Sequence, residues 1–345
     1  KICCVDQVCR VGRFGKGRTA AMDKDCHGRT AQRAGIPVPR GTLERLEVAR
    51  AEASDDATLR HADVPLCHDG RDFVGHMCWC EGAGPRPLVL VVHNYAGLKR
   101  FDKEQAAFLA RCGFAALAVD MYGADTSDPA MRIKTPENAT THFRMAFGAM
   151  NKLLRDHVLF RGLLRAWLAA GRAHPSTDIA GRAAAIGYCF GGMAMFEMVR
   201  DGMDVDAVVS FHGVPQSNPI FVPGLEENFD RKVQTAPNTY AHCKVRCLVE
   251  NGAADTLVPR EARDKWTAEM DAASIDWIWH DYARTPHGFA LAPDICTEYT
   301  EDADRRSTLA MLALFQEAWP DVKQNPLALN ACGTPFQAAP ACPGV

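Results

Sequence analysis

The chain has 345 residues, of which 47% are hydrophobic and 23% charged, and its formal net charge is -3. That is enough apolar material for one substantial core, and the near-neutral balance, without a long block of one sign, argues against a nucleic-acid-binding tail or an acidic-lipid anchor. The longest apolar stretches, such as 88-LVLVV-92, are far shorter than the roughly 20 residues that span a bilayer, so no membrane span is expected.

Residues 1–60 read as an extension containing Cys3, Cys4, Cys9 and Cys26, with a short helix or strand at 42–51. Residues 326–345, carrying Cys332 and Cys342, read as a C-terminal tail. The tails could be stapled by disulfides in an oxidising compartment, and they are candidate surfaces for a protein partner. Their spacing lacks the paired ligands of a zinc site, and the pair Cys243 and Cys247 has no second pair nearby. Gly12, Gly15 and Gly17 lack the flanking strand and helix of a phosphate-binding loop. The compartment stays open between cytoplasmic and organellar or secreted.

The main domain is expected over 61–325. A strand at 73–80 and a turn at 81–87 lead into the apolar run 88–93, whose Leu and Val content without alternation suits a strand buried on both faces. A helix follows over 102–112, with Asp102 as candidate N-cap and Gly113 beyond its end, and then a buried strand over 114–120. Strand, helix, strand in this order favours an α/β sheet with crossover helices. Apolar residues from Phe143 to Leu168 recur at helical intervals and predict one bent helix or two in succession. Beyond 183–188, a strand, come a turn at 189–192, a helix over 193–201, a strand at 205–211 and an excursion to about Tyr240 that could cover a pocket. Strand 245–250, helix 261–272, strand 276–282 and helix 302–319, ended by Pro320, complete the domain. Trp79, Trp277 and Trp279 fall in strands and are expected to pack.

The segment 187-GYCFGG-192 has the strand, sharp turn and helix context of a nucleophile elbow, with Cys189 in the nucleophile position and glycines where side chains would block the turn. Downstream, Asp255 lies in the loop after one strand and His287 in the loop after the next, an order that can bring acid and base to the same sheet edge as the sulfur. In that arrangement His287 takes the Cys189 proton or stabilises its thiolate, and Asp255 orients the imidazole. Taken singly, Cys189 could be a buried core residue, Asp255 a turn cap and His287 structural. Tyr122 and His212 follow predicted strands and are expected, with His93 and Asn94, to line the cleft, a structural role for each being the competing reading.

Residues 61–325 resemble the dienelactone hydrolase family, on 88-LVLVVHNYAG-97, 119-VDMYG-123, 178-DIAGRAAAIGYCFGG-192, 249-VENGAADTLVP-259 and 285-TPHGFA-290. The resemblance implies an α/β-hydrolase fold, with a mostly parallel central sheet and helices on both faces. It also implies no metal or organic cofactor, and attack by cysteine on a small-molecule ester or lactone. The family's triad carries over to Cys189, Asp255 and His287, and its oxyanion hole to the backbone N–H groups of Phe190 and Tyr95. Two departures stand out. Asn94 occupies the position where many members have a glutamate that manages the resting nucleophile, and an amide can neither take a proton nor carry that charge. The family's carboxylate-reading arginines also have no clear match around 121–125 or just after 287–290. A hydrolase-derived scaffold with weak or no activity, and a thiol transferase or peptidase, are the competing functions.

Overall fold

The computed structural model describes residues 59–324 except 83, 124–138, 222–231, 242–243, 293–294 and 323. The segment at 42–51, the glycines near the N-terminus, Cys243 and the cysteines of both tails therefore lie outside the described residues.

Eight strands form one sheet: β1 (Leu59–His68), β2 (Arg71–Cys80), β3 (Leu88–Val92), β4 (Ala115–Val119), β5 (Ala183–Tyr188), β6 (Ala207–Phe211), β7 (Arg246–Gly252) and β8 (Asp276–Tyr282), in the order β1-β2-β4-β3-β5-β6-β7-β8. β2 pairs antiparallel with both β1 and β4, and every other pairing is parallel. The helices are α1 (Arg100–Arg111), α2 (Ala139–Arg155), α3 (His157–Arg172), α4 (Phe190–Asp201), α5 (Arg260–Ala272) and α6 (Glu301–Ala318).

Every residue of β3, β4, β5 and β6 is buried, which is why these strands read as unbroken apolar runs. Successive side chains serve opposite layers. Leu88, Leu90 and Val92 pack with α2, α3 and α4, while Val89 and Val91 pack with α1 and α6. This is the α/β-hydrolase architecture, with helices on both faces of a mostly parallel sheet. Trp279 is buried and Trp79 and Trp277 pack against the same core.

Three local details differ from, or sharpen, the sequence reading. The strand β1 was not anticipated; its burial alternates because it is an edge strand, and it turns into β2 through Asp69 and Gly70 with φ of 50° and 67°, the paired positive angles of a tight hairpin turn. Helix α1 begins earlier than expected, with Lys99 as N-cap. Asp102 sits inside the first turn and reaches back to accept the Lys99 N–H at 2.8 Å, so it caps from within. The long helical stretch is two helices, broken at Asp156, whose Oδ1 accepts the Leu159 N–H at 3.0 Å and starts α3.

Candidate active site

The parallel strands end on one edge of the sheet, where loops are free to carry chemistry. Between β5 and α4 the chain turns at Cys189, with φ 55° and ψ -108°. A non-glycine residue there stores of order 1–3 kcal/mol of strain. The turn is fixed by the Cys189 N–H, which donates to Phe211 O at 3.0 Å, and by the Cys189 carbonyl, which accepts from Met193 N at 3.1 Å. Glycines are required on both sides: a Cβ on Gly187 would meet Gly191 O at 2.1 Å, and one on Gly191 would meet Val92 O at 2.1 Å. The outcome is a half-buried, free Cys189 at the N-terminus of α4.

Two further loops meet beside it. A Cβ on Gly252, the last residue of β7, would lie 2.3 Å from Thr285 O, so its absence lets the loops after β7 and β8 touch. Ala254 N–H then donates to Thr285 O at 2.9 Å. That closure sets Asp255 and His287 together, with His287 Nδ1 2.8 Å from Asp255 Oδ2. The other Asp255 oxygen, Oδ1, accepts the Leu257 N–H at 2.8 Å, so both carboxylate oxygens are engaged. Burial opposes a charge on His287, but the nearby Cys189 sulfur and the Asp255 carboxylate outweigh it and hold the imidazole well above the usual histidine range.

Of the other residues expected here, Tyr95 is half-buried and its ring lies 6.0 Å from Phe143 and 5.1 Å from Phe147, so it packs against the buried face of α2. Those two phenylalanines were read only as a helix face; their spacing did not say which loop they meet. Phe190 is fully buried, its ring stacked on Phe160 at 5.2 Å. Its backbone N–H opens α4, in the first turn where N–H groups have no intrahelical acceptor.

His93 and Tyr122 lie beneath the site rather than on an open wall. His93 is fully buried, its Nδ1 donating to Asn94 O at 2.6 Å and its Nε2 accepting from Met121 N at 3.1 Å. Both nitrogens are spent on backbone, and burial pushes its pKa down to about 4. Tyr122, 1% exposed, donates its hydroxyl to Tyr95 O at 3.1 Å. Asn94 is buried and its Oδ1 accepts the Ala96 N–H at 2.8 Å, while Asn94 O accepts from Gly97 N at 3.3 Å. The amide therefore shapes the turn that presents Tyr95. His212 is fully buried, with its ring centroid 5.0 Å from that of His287. Among the described residues no cluster of His, Cys, Asp or Glu could hold a metal ion, and no helix is long and apolar enough to cross a membrane.

Comparison with known proteins bears on this site. The dienelactone hydrolase family model matches residues 74–319. A carboxymethylenebutenolidase of Pseudomonas sp. (strain P51) is 30% identical over 234 residues, covering 66% of this chain and 85% of that protein. The Pseudomonas putida carboxymethylenebutenolidase is 24% identical over 225 residues, covering 65% and 83%. Among solved structures, a dienelactone hydrolase-like promiscuous phosphotriesterase from metagenomic libraries superposes with a TM-score of 0.59 at 28% identity, covering 76% of this chain and 99% of that one. With the fold, the elbow and these matches agreeing, the chain belongs to the dienelactone hydrolase family, a family of ester and lactone hydrolases.

Proposed function

We propose that the protein hydrolyses a small carboxylic ester or lactone through a Cys189 acyl-enzyme. The observation that carries this reading is the 2.8 Å contact of His287 Nδ1 with the buried Asp255 carboxylate, on an imidazole whose charged form the neighbouring Cys189 sulfur favours. The nucleophile in this reading is the Cys189 sulfur, which lies beside His287 and at the positive end of the α4 dipole. The sulfur attacks the carbonyl carbon, and the oxyanion is held by the backbone N–H groups of Phe190 and Tyr95, donors of a kind worth about 3–4 kcal/mol each in acyl transfer. Collapse expels the alkoxide, which takes a proton from His287, and leaves a thioester on Cys189. Water then gives a proton to His287 and attacks the thioester; C–S cleavage returns the thiolate and releases the acid.

Asn94 cannot carry the charge of the glutamate common in the family, and its amide oxygen is already bound to Ala96 N–H. In this reading the activation of Cys189 therefore rests on His287. The half-buried Tyr95 ring, backed by Phe143 and Phe147, would favour an uncharged, apolar group on the substrate. The names of the bacterial relatives point to a lactone as one substrate to try.

Turnover of 4-nitrophenyl acetate followed by intact-protein mass measurement tests the reading. An acetyl adduct that maps to Cys189, and loss of turnover in Cys189→Ala, are expected. Turnover retained by Cys189→Ala with no adduct on the parent protein would overturn it.

A further inference from the structure

One buried group remains without a task in that cycle. His212 is fully buried, and neither of its ring nitrogens has a hydrogen-bond partner among the described residues. A buried polar group left in that state costs stability, and native structures usually resolve it with a water or a ligand. A phenylalanine would fill an aromatic niche between Tyr188, His287 and Phe289 without that cost. The backbone is also strained at this one residue: His212 has φ 42° directly after β6, and it is held there by its N–H, which donates to Glu250 O at 2.8 Å. Strain of this kind at a residue packed on the site's base is a sign of a positioned side chain. Its consequence is visible in the packing: an extended backbone would send the side chains of Phe211 and His212 to opposite faces, yet both rings lie near Tyr188.

We propose that His212 is a second imidazole of the active site that holds the water which deacylates the Cys189 thioester; this rests on the acyl-enzyme reading above. His212 stays neutral, because burial and the adjacent His287 both disfavour its charged form. A neutral imidazole has one donor and one acceptor nitrogen. The ring centroids of His212 and His287 are 5.0 Å apart, which puts the two imidazoles close enough for one water to reach a nitrogen of each. In the resting protein the Cys189 sulfur is the group beside His287. Once the sulfur is acylated, His287 is available to the water. One water O–H then points to His287 and the other to the acceptor nitrogen of His212, which leaves an oxygen lone pair for the thioester carbon. The O–C bond forms as His287 takes the proton, and the C–S bond breaks as the thiolate leaves. His212 donates no proton and accepts none outright; it orients.

The test separates the two half-reactions. With 4-nitrophenyl acetate, the burst of 4-nitrophenolate reports acylation and the steady state reports deacylation. His212→Phe keeps the ring and removes both nitrogens, whereas His212→Gln keeps a donor and an acceptor. In His212→Phe the burst rate is expected to stay within about three-fold of the parent while the steady state falls about 10–100-fold, the range of a lost acid–base contribution or somewhat less. Acetyl-enzyme should accumulate in the mass spectrum. His212→Gln should deacylate faster than His212→Phe even though His212→Phe is the more thermally stable of the two. An equal fall of burst and steady state, an unchanged steady state, or deacylation that simply follows thermal stability would each overturn the proposal. Absence of any Cys189 adduct in the parent protein is a different result: it removes the acyl-enzyme reading itself, and this step with it.

Discussion

Two buried polar clusters in this molecule are built on opposite principles. Behind the site, Arg161, Glu197 and Arg200 sit in the core of the α3–α4 layer, and every guanidinium nitrogen is used. Arg161 donates to Glu197 Oε2 at 2.7 Å, Pro237 O at 2.9 Å and Asn238 Oδ1 at 2.7 Å. Arg200 donates to Glu269 at 2.8 Å from two nitrogens, to Glu197 at 3.0 Å and to Pro215 O at 2.9 Å. At the sheet edge, by contrast, His212 is as deeply buried but has both nitrogens unmatched. The first cluster is satisfied within the fold and ties Pro215, Pro237 and Asn238 to the helices. The second has hydrogen-bonding capacity that only a water or substrate can use. The first cluster is satisfied by protein groups and His212 is not, and the comparison can be broken at either end.

The largest effect is expected at the sheet edge. Asp255→Asn keeps the shape but alters the partner of His287 Nδ1, and kcat/KM for 4-nitrophenyl acetate should fall about 10²–10⁴-fold, as a misoriented base does in other triads. Thermal unfolding should move little by comparison. Should kcat/KM drop less than about ten-fold, the carboxylate would not be orienting the base.

The saturated cluster should respond in the opposite currency. Arg161→Met leaves the Glu197 charge buried without one of its partners, and breaking such a pair costs about 3–5 kcal/mol. Urea unfolding should register that loss while kcat of the folded fraction changes little. The double variant Arg161→Met with Glu197→Leu should recover part of the stability. A double variant no more stable than the single one would mean that the network's neighbours, not the pair, carry the loss.

A subtler break uses the two imidazoles 5.0 Å apart, because their proton affinities move in opposite directions. Burial, then the charge of His287, depress His212, so below about pH 6.5 the unfolded chain binds more protons at this position than the folded one. Stability therefore falls as pH drops through that value, and His212→Phe should gain on the parent protein between pH 7.5 and 5. His287 is raised by Cys189 and Asp255 against the effect of burial. Its contribution is complete below about pH 6.5 and fades as pH climbs through its elevated folded value. Asp255→Asn should thus lose its disadvantage in stability as pH rises. Urea midpoints across pH measure both slopes, and parallel slopes would contradict the assignment.

The smallest effect is expected at Asn94. Asn94→Ala removes the acceptor for Ala96 N–H and should cost about 1 kcal/mol of stability with a modest loss of rate through Tyr95. Asn94→Asp keeps the acceptor and should hold stability near the parent value. A rate loss in Asn94→Asp as large as in Asn94→Ala would show that the amide does more than shape the turn.

Much of the fold was legible because buried parallel strands have no reason to alternate: the runs at 88–92, 115–119 and 183–188 announce themselves as unbroken apolar segments. The β1–β2 hairpin was not, although Asp69-Gly70 is a strong turn pair, because a solvent-facing edge strand has no apolar run to flag it. The elbow was legible for a related reason. Gly187 answers to Gly191, four residues on, so the spacing encodes the turn, whereas the room Gly191 needs is set by Val92 on the neighbouring strand.

What the chain order supplied was therefore the candidate sulfur, base and acid, each at the end of a recognisable strand. What tertiary structure decided was their surroundings. Gly252 lets two distant loops touch so that His287 meets Asp255, Asn94 uses its amide oxygen in a turn, and His93 and Tyr122 are buried while His212 lies beside His287. Local motifs are written in nearest neighbours, but whether a buried nitrogen finds a partner depends on groups brought together from across the sheet, and no stretch of sequence contains them all.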